Sequence, residues 1–296
     1  MRDRASLTAE YMALFRALES SRPESTRLFC DPLAAIFLRY WRRSLLRIAR
    51  FDRGRRLVEH ALDWKAPGAR AAGIARTKWI DDEAGSALEA VTQLVLLGAG
   101  FDTRAYRLAF ARRSTTFELD LPETSRAKQA ALKKALGPLP EEVRYVSIDF
   151  NRQPLAEVLG QAGFDQMRPA CFIWEGVTNY LSAEAVDATL RQIQQAAVGS
   201  VLLFSYVHRG VLEKPELFFG AVKLMRRLRS YGEPWTFGLF PEELPAYLAA
   251  RGLRLMKDLS VAEVWQNAGR CSSDVRGYEF YRIASACVER PDSPAE

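Results

Sequence analysis

Apolar positions along this chain change their rhythm near residue 90. Before it, they recur at near-helical spacing, as in Leu7, Met12, Phe15 and Leu18, so residues from about 7 to 88 read as mostly helical. Asp31-Pro32 predicts a helix start, with Asp as cap and Pro in the first turn. Gly68–Leu88 predicts one further helix leading up to the first strand. After residue 90, short apolar runs alternate with longer mixed stretches. The runs predict strands at Leu94–Leu97, Thr115–Leu119, Arg144–Ile148, Ala170–Trp174 and Ser200–Tyr206. Helices are predicted between them at Arg104–Ala109, Pro122–Leu136, Pro154–Leu159 and Ala183–Ala196. Such alternation implies right-handed crossovers and a parallel sheet covered on both faces, an α/β fold. The tail adds a helix at Pro241–Arg251 and strands at Arg254–Leu259 and Tyr278–Val288, which brings the sheet to seven strands.

The expected organisation is one domain: a helical cap (1–88), a Rossmann-like core (89–208 and 252–290) and an inserted lid (209–251) after the fifth strand. The lid carries an amphipathic helix (Leu217, Val222, Leu224, Met225, Leu228) and the loop GEPWTFG. There is no internal repeat and no low-complexity segment.

The strand ends carry the candidate chemistry. The run at Leu94–Leu97 enters Gly98-Ala99-Gly100, a turn whose bare backbone lets a nucleotide-like ligand approach closely. About twenty residues on, the next strand ends in Asp120, where such a turn expects a carboxylate for ribose hydroxyls. The third run ends in Asp149-Phe150 and the fourth in Glu175-Gly176. Four runs thus deliver a Gly or an acid to the edge of a parallel sheet where ligands bind. GAGFDT lacks the third glycine of a dinucleotide fingerprint, which favours S-adenosylmethionine (SAM) over NAD. An NAD-dependent dehydrogenase also leaves Asp149 and Glu175 unexplained.

Composition narrows the class. With 48% hydrophobic and 26% charged residues, the chain reads as an ordinary soluble globular protein. No apolar run reaches the roughly 18 residues that span a bilayer, and no signal peptide is evident, so no membrane association is expected. Cys30, Cys171, Cys271 and Cys287 show no metal-ligand spacing, so neither a metal site nor a disulfide framework is expected, and a reducing cytoplasm fits. The net charge of +6 is concentrated in the segment from Arg39 to Arg56, where eight arginines face one acid, Asp52. That segment reads either as a solvated basic face or as a docking surface for an acidic carrier protein. Nucleic-acid binding is not expected, because no recognisable module accompanies the charge.

GAGFDTRAYRL, FELDLPETSRAKQ, SIDF and WEGVTNYL together resemble the leucine carboxyl methyltransferase/polyketide O-methyltransferase family, within the class I SAM-dependent methyltransferases. ARTKWIDD (75–82) and GEPW (232–235) extend the resemblance over most of the chain. It implies a Rossmann-like sheet with an antiparallel final strand, and SAM as cofactor. It implies that Gly98, Ala99 and Gly100 underlie the methionine portion. Asp120, with Leu121 beside it, would take both ribose hydroxyls; Asp149 would take the adenine amino group, with Phe150 as amide or apolar wall. Glu175 would sit near the amino-acid end, and Arg76 would hold the SAM carboxylate, with Arg16 as a helper.

On the acceptor side the candidates are Tyr180 and His208. Tyr180 points either at the acceptor or into the core. His208 is either a general base for a hydroxyl or a solvated loop residue. A carboxylate acceptor needs no base, being ionised above a pKa of about 4. The expected partner is a small-molecule methyl acceptor. Aromatic residues of the cap and lid (Tyr11, Phe218, Phe219, Trp235, Phe237) suggest an apolar one. A protein C-terminal carboxylate, a carrier-bound acyl group and a non-catalytic SAM-binding role remain as alternatives.

Overall fold

The computed structural model describes residues 7–268 and 278–289. Cys271 and the segment around it lie outside the described residues. Four helices come first: α1 (Leu7–Ser20), α2 (Tyr40–Ile48), α3 (Asp52–Lys65) and α4 (Ala69–Ala87). The alternating part follows: β1 (Gln93–Leu97), α5 (Arg104–Arg107), β2 (Thr115–Asp120), α6 (Pro122–Leu136), β3 (Val143–Ser147), α7 (Leu155–Gln161), β4 (Ala170–Trp174), α8 (Ala183–Ile193) and β5 (Val201–Val207). After β5 come α9 (Gly210–Glu213), α10 (Ala221–Tyr231), α11 (Leu244–Ala249), β6 (Leu253–Ser260), α12 (Val261–Asn267) and β7 (Tyr281–Val288).

The seven strands form one sheet in the order β3-β2-β1-β4-β5-β7-β6. Pairs from β3 through β5 are parallel, and β7 runs antiparallel to both β5 and β6. This is a doubly wound α/β topology, with the expected antiparallel last strand. Central strands are legible as plain apolar runs because both of their faces are covered: every residue of β1 and of β4 is buried. One face packs Phe117, Phe172, Trp174 and Phe204 against α7, α8 and α11; the other packs Leu94, Leu96, Ile173 and Phe280 against α4 and α12. Strand order reverses between β1 and β4, so their carboxyl ends diverge and leave a crevice.

Several boundaries differ from expectation for local reasons. The helix after the glycine turn stops at Arg107, because Leu108 is already extended (φ −93°, ψ 127°). Asp31 does receive the Leu33 and Ala34 N–H groups on Oδ1, at 3.1 and 3.0 Å, but the turn it starts is a 3-10 turn at Ala34–Phe37. The helix expected at Pro241–Arg251 divides into a 3-10 turn at Pro241–Glu243 and then α11. Helix α1 lies close on α4 at Gly73, where a Cβ would stand 2.8 Å from Met12 Cε.

Several ion pairs are buried, and one of them links the sheet to α6. Lys128 of α6 and Glu118 of β2 are both buried, with Nζ 2.8 Å from Oε2. Burial pushes the Glu118 carboxyl up to about 7, against the opposing pull of Lys128. Lys128→Met is expected to lower unfolding free energy by roughly 3–5 kcal/mol, because it strands Glu118. Denaturant titration checks this, and adding Glu118→Gln is expected to restore most of the loss.

Candidate functional site

The crevice opens into a cavity of about 640 Å³ over the carboxyl ends of β1, β2, β3 and β4. Its floor is the Gly98-Ala99-Gly100 turn. Gly98 has φ +72° and Gly100 φ +44°, and a Cβ on Gly98 would lie 2.4 Å from Val177 Cγ2. A side chain there would both strain the backbone and drive Val177 into the space a ligand needs.

Asp120 stands beside this turn. Its Oδ2 accepts the Gly100 N–H at 2.5 Å and its Oδ1 the Leu121 N–H at 2.7 Å. A carboxylate offers about four acceptor sites, so two remain, one on each oxygen, matched to a vicinal diol. Burial raises the Asp120 pKa, and the two backbone N–H groups oppose that rise. Asp149 and Phe150 border the same cavity. The Asp149 carboxylate turns its own loop by accepting the Asn151 N–H at 3.0 Å.

At the opposite end, charge is concentrated and buried. Arg76 of α4 donates from Nε to Glu175 Oε1 at 3.3 Å and lies 4.3 Å from the centre of the Tyr281 ring. Arg104 donates from Nη1 to Glu175 Oε2 at 2.9 Å and to Asp102 Oδ2 at 2.5 Å, and from Nε to Asp81 Oδ1 at 2.7 Å. Arg107 also donates to Asp81, and Thr103 donates its hydroxyl to Asp31 Oδ2 at 2.7 Å. Arg16 closes the network from α1. Its Nε donates to Asp31 Oδ2 at 2.8 Å and its Nη2 to the Phe101 carbonyl at 2.5 Å. Burial would raise the Glu175 and Asp102 carboxyls, but Arg104 above all holds both below the usual carboxylate range.

The cavity brings together Arg76, Gly98, Ala99, Gly100, Asp120, Leu121, Asp149, Phe150, Glu175 and Tyr180. It does not include His208, and that expectation is corrected. The His208 ring is packed between Phe218 and Phe240, with centroids 5.3 Å from each, and Nδ1 accepts the Gly210 N–H at 3.0 Å. Burial lowers its pKa, which favours the neutral form. Arg16 borders the cavity, and its guanidinium donates to Asp31 and to the Phe101 carbonyl, so it also ties α1 to the glycine turn. Of the aromatic residues expected around the acceptor, Tyr11 and Trp235 line the cavity, whereas Phe218 and Phe237 pack into the protein beside His208 and Tyr247.

Sequence reasoning missed Arg104, Asp81, Asp102 and Asp31. The available signal was charge inside apolar motifs: ARTKWIDD and GAGFDTRAYR supply three of the four. It also missed Tyr231 and Tyr281 as cavity walls.

Comparison with known proteins places this geometry. The family model for leucine carboxyl methyltransferase matches residues 9–194. A candidate SAM-dependent methyltransferase of Streptomyces coelicolor is 35% identical over 213 residues, covering 70% of this chain and 71% of that one. One from Mycobacteroides abscessus is 35% identical over 198 residues, covering 65% of this chain and 63% of its own length. Among solved structures, a candidate methyltransferase of Thermobifida fusca superposes with a TM-score of 0.60 at 20% identity, covering 92% of this chain and 97% of that one. The fold is that of the class I SAM-dependent methyltransferases. The chain belongs to the leucine carboxyl methyltransferase family, and SAM is its cofactor.

The Arg104 network has a direct consequence for stability. Arg104→Met removes the ion-pair partner of Asp102 and one of the two arginines on each of Asp81 and Glu175, and is expected to cost roughly 3–5 kcal/mol at neutral pH. Glu175 and Asp102 have folded pKa values below their unfolded ones, so their contribution is present above the unfolded pKa and is lost as pH falls. Wild-type stability is therefore expected to drop as pH falls below about 4, and the variant to show a shallower drop. Urea midpoints measured across that range check both.

Proposed function

We propose that this protein transfers the methyl group of SAM to an oxygen of an apolar small molecule, with a carboxylate as the acceptor group and a hydroxyl as the alternative. The observation that carries the reading is one continuous cavity that joins the Asp120 crevice to an aromatic chamber. Tyr11, Tyr180, Tyr231 and Trp235 wall that chamber, and α1, α3 and α10 roof it.

The donor set matches SAM group by group. SAM, when bound, supplies a methyl group made electrophilic by its sulfonium. Asp120 has two free acceptor sites for the ribose diol, and Asp149 and Phe150, which border the same cavity, would take the adenine. Arg76 offers its guanidinium to the amino-acid carboxylate, and Glu175 both steadies Arg76 and can accept from the amino group. The roofing helices exclude water, and the walls orient the acceptor on the far side of the methyl. Positioning of that kind supplies much of the rate in a displacement reaction.

Lys65 and Arg227 border the chamber and favour an anionic acceptor. A carboxylate is ionised already and asks no proton transfer of the protein. Tyr11 stands in the chamber wall; burial would raise its phenol pKa, but hydrogen bonds with Tyr231 and Arg42 lower it overall.

Incubating the protein with methyl-labelled SAM and a panel of aromatic and long-chain carboxylic acids tests the reading. A base-labile product that releases labelled methanol is expected. A base-stable ether would point to the hydroxyl alternative, and the absence of transfer across both acid and phenol panels would contradict the proposal. Asp120→Ala is expected to weaken SAM binding about 100-fold in calorimetry, the scale of two charge-assisted hydrogen bonds. Near-native affinity would remove Asp120 from the donor site.

A further inference from the structure

The outer face of α2 and of the roofing helix α3 is unlike the rest of the surface. Tyr40, Trp41, Ile48, Phe51, Leu57 and Trp64 are exposed on α2, α3 and the link between them, with Tyr40 at 77%, Phe51 at 75% and Trp64 at 70%. Values that high describe rings standing clear of the surface rather than lining a groove. On α2, a helical period of 3.6 residues puts Tyr40, Trp41 and Ile48 on one arc with Arg43 and Arg47 at its flank. On α3 the exposed stripe is Leu57, Ala61 and Trp64, bordered by Arg53 and Arg56. Arg39 and Arg50 are exposed as well. The acids of this segment are neutralised within the protein: Asp52 pairs with Arg55, and Glu59 and Asp63 pair with Arg70. Helix α10 continues the face through Lys223, which lies 5.9 Å from the Trp64 ring.

Of these helices α3 and α10 also line the cavity from within: Leu62 and Lys65 of α3, and Leu224 and Leu228 of α10, face the acceptor chamber. On α3 the basic, aromatic face and the chamber belong to one helix, and α2 extends that face beyond the roof.

We propose that this face docks the protein on an anionic lipid bilayer, so that the acceptor chamber opens beside the headgroup region. Tryptophan and tyrosine prefer that region, and exposed arginines are drawn to anionic headgroups. Helices with an apolar stripe flanked by basic residues lie in that interface without crossing it. None of the described helices is long and apolar enough to cross a membrane, and docking of this kind needs none. This departs from the expectation of no membrane association, which rested on the lack of a spanning run. A second copy of the chain is disfavoured as occupant, because it would set arginine against arginine. An acidic carrier protein shares the charge complementarity, but it does not account for six large apolar side chains that are each about half exposed or more. The docking is independent of which atom the protein methylates.

Co-sedimentation of the full chain with vesicles tests it. Vesicles of equal parts phosphatidylcholine and phosphatidylglycerol are expected to carry the protein down at low salt, and pure phosphatidylcholine vesicles are not. Arg43→Ala with Arg47→Ala is expected to weaken partition about thirtyfold. Trp41→Ser with Phe51→Ser and Trp64→Ser is expected to abolish it at moderate salt, while SAM affinity and the circular dichroism spectrum stay unchanged. Three results would overturn the proposal. The first is failure to sediment with the anionic vesicles. The second is equal partition of the wild type and the aromatic variant. The third is an unbound vesicle fraction alongside saturable binding to an acidic acyl carrier protein, or a dimer, lost in the same variants.

Discussion

A buried network of alternating charge holds the site together. Arg16, Arg76, Arg104 and Arg107 face Asp31, Asp81, Asp102 and Glu175, with no side chain of the eight more than 15% exposed. Its members come from α1, the loop before the 3-10 turn, α4, the glycine turn with α5, and the end of β4. Charges of this kind gain little net stability over apolar packing, but each is costly to leave unpaired. The network therefore fixes relative position: the cap must sit so that Arg16 reaches Asp31 and Phe101, or several charges are stranded at once.

Catalytic geometry follows from that constraint. The Gly98–Gly100 turn is tied on one side to Asp120 and on the other to Arg16 through the Phe101 carbonyl. Arg76 is tied to Glu175, which is tied to Arg104. The two ends of the donor crevice are thus set by rigid partners before any ligand arrives, which is the preorganisation that a positioning mechanism requires.

Much of the sheet was legible because its physics is local. An apolar run such as Leu94–Leu97, short and closed by a glycine turn, reads as a covered strand, and Pro122–Leu136 carries its own start signal in Pro122. Gly98, Asp120, Asp149 and Glu175 were legible because strand ends in a parallel sheet converge on one edge. The ion network was not. A lone Arg or Asp in a sequence is a surface residue by default, and what buries Arg104 is Asp81, twenty-three positions away, and Glu175, seventy-one positions away. His208 misled for the converse reason: it does follow β5, but aromatic neighbours from the insertion enclose its ring. The basic segment from Arg39 to Arg56 was visible as charge, whereas the solvent exposure of its aromatic rings emerged only from the packing of α2 and α3.

A crystal structure with S-adenosylhomocysteine, the demethylated product of SAM, tests the central claim most directly. The ribose hydroxyls are expected on Asp120 and the amino-acid carboxylate on Arg76, with the contacts of Arg104 to Asp81, Asp102 and Glu175 unchanged. A nucleoside seated elsewhere, or one reached only after the Arg104 contacts break, would contradict it.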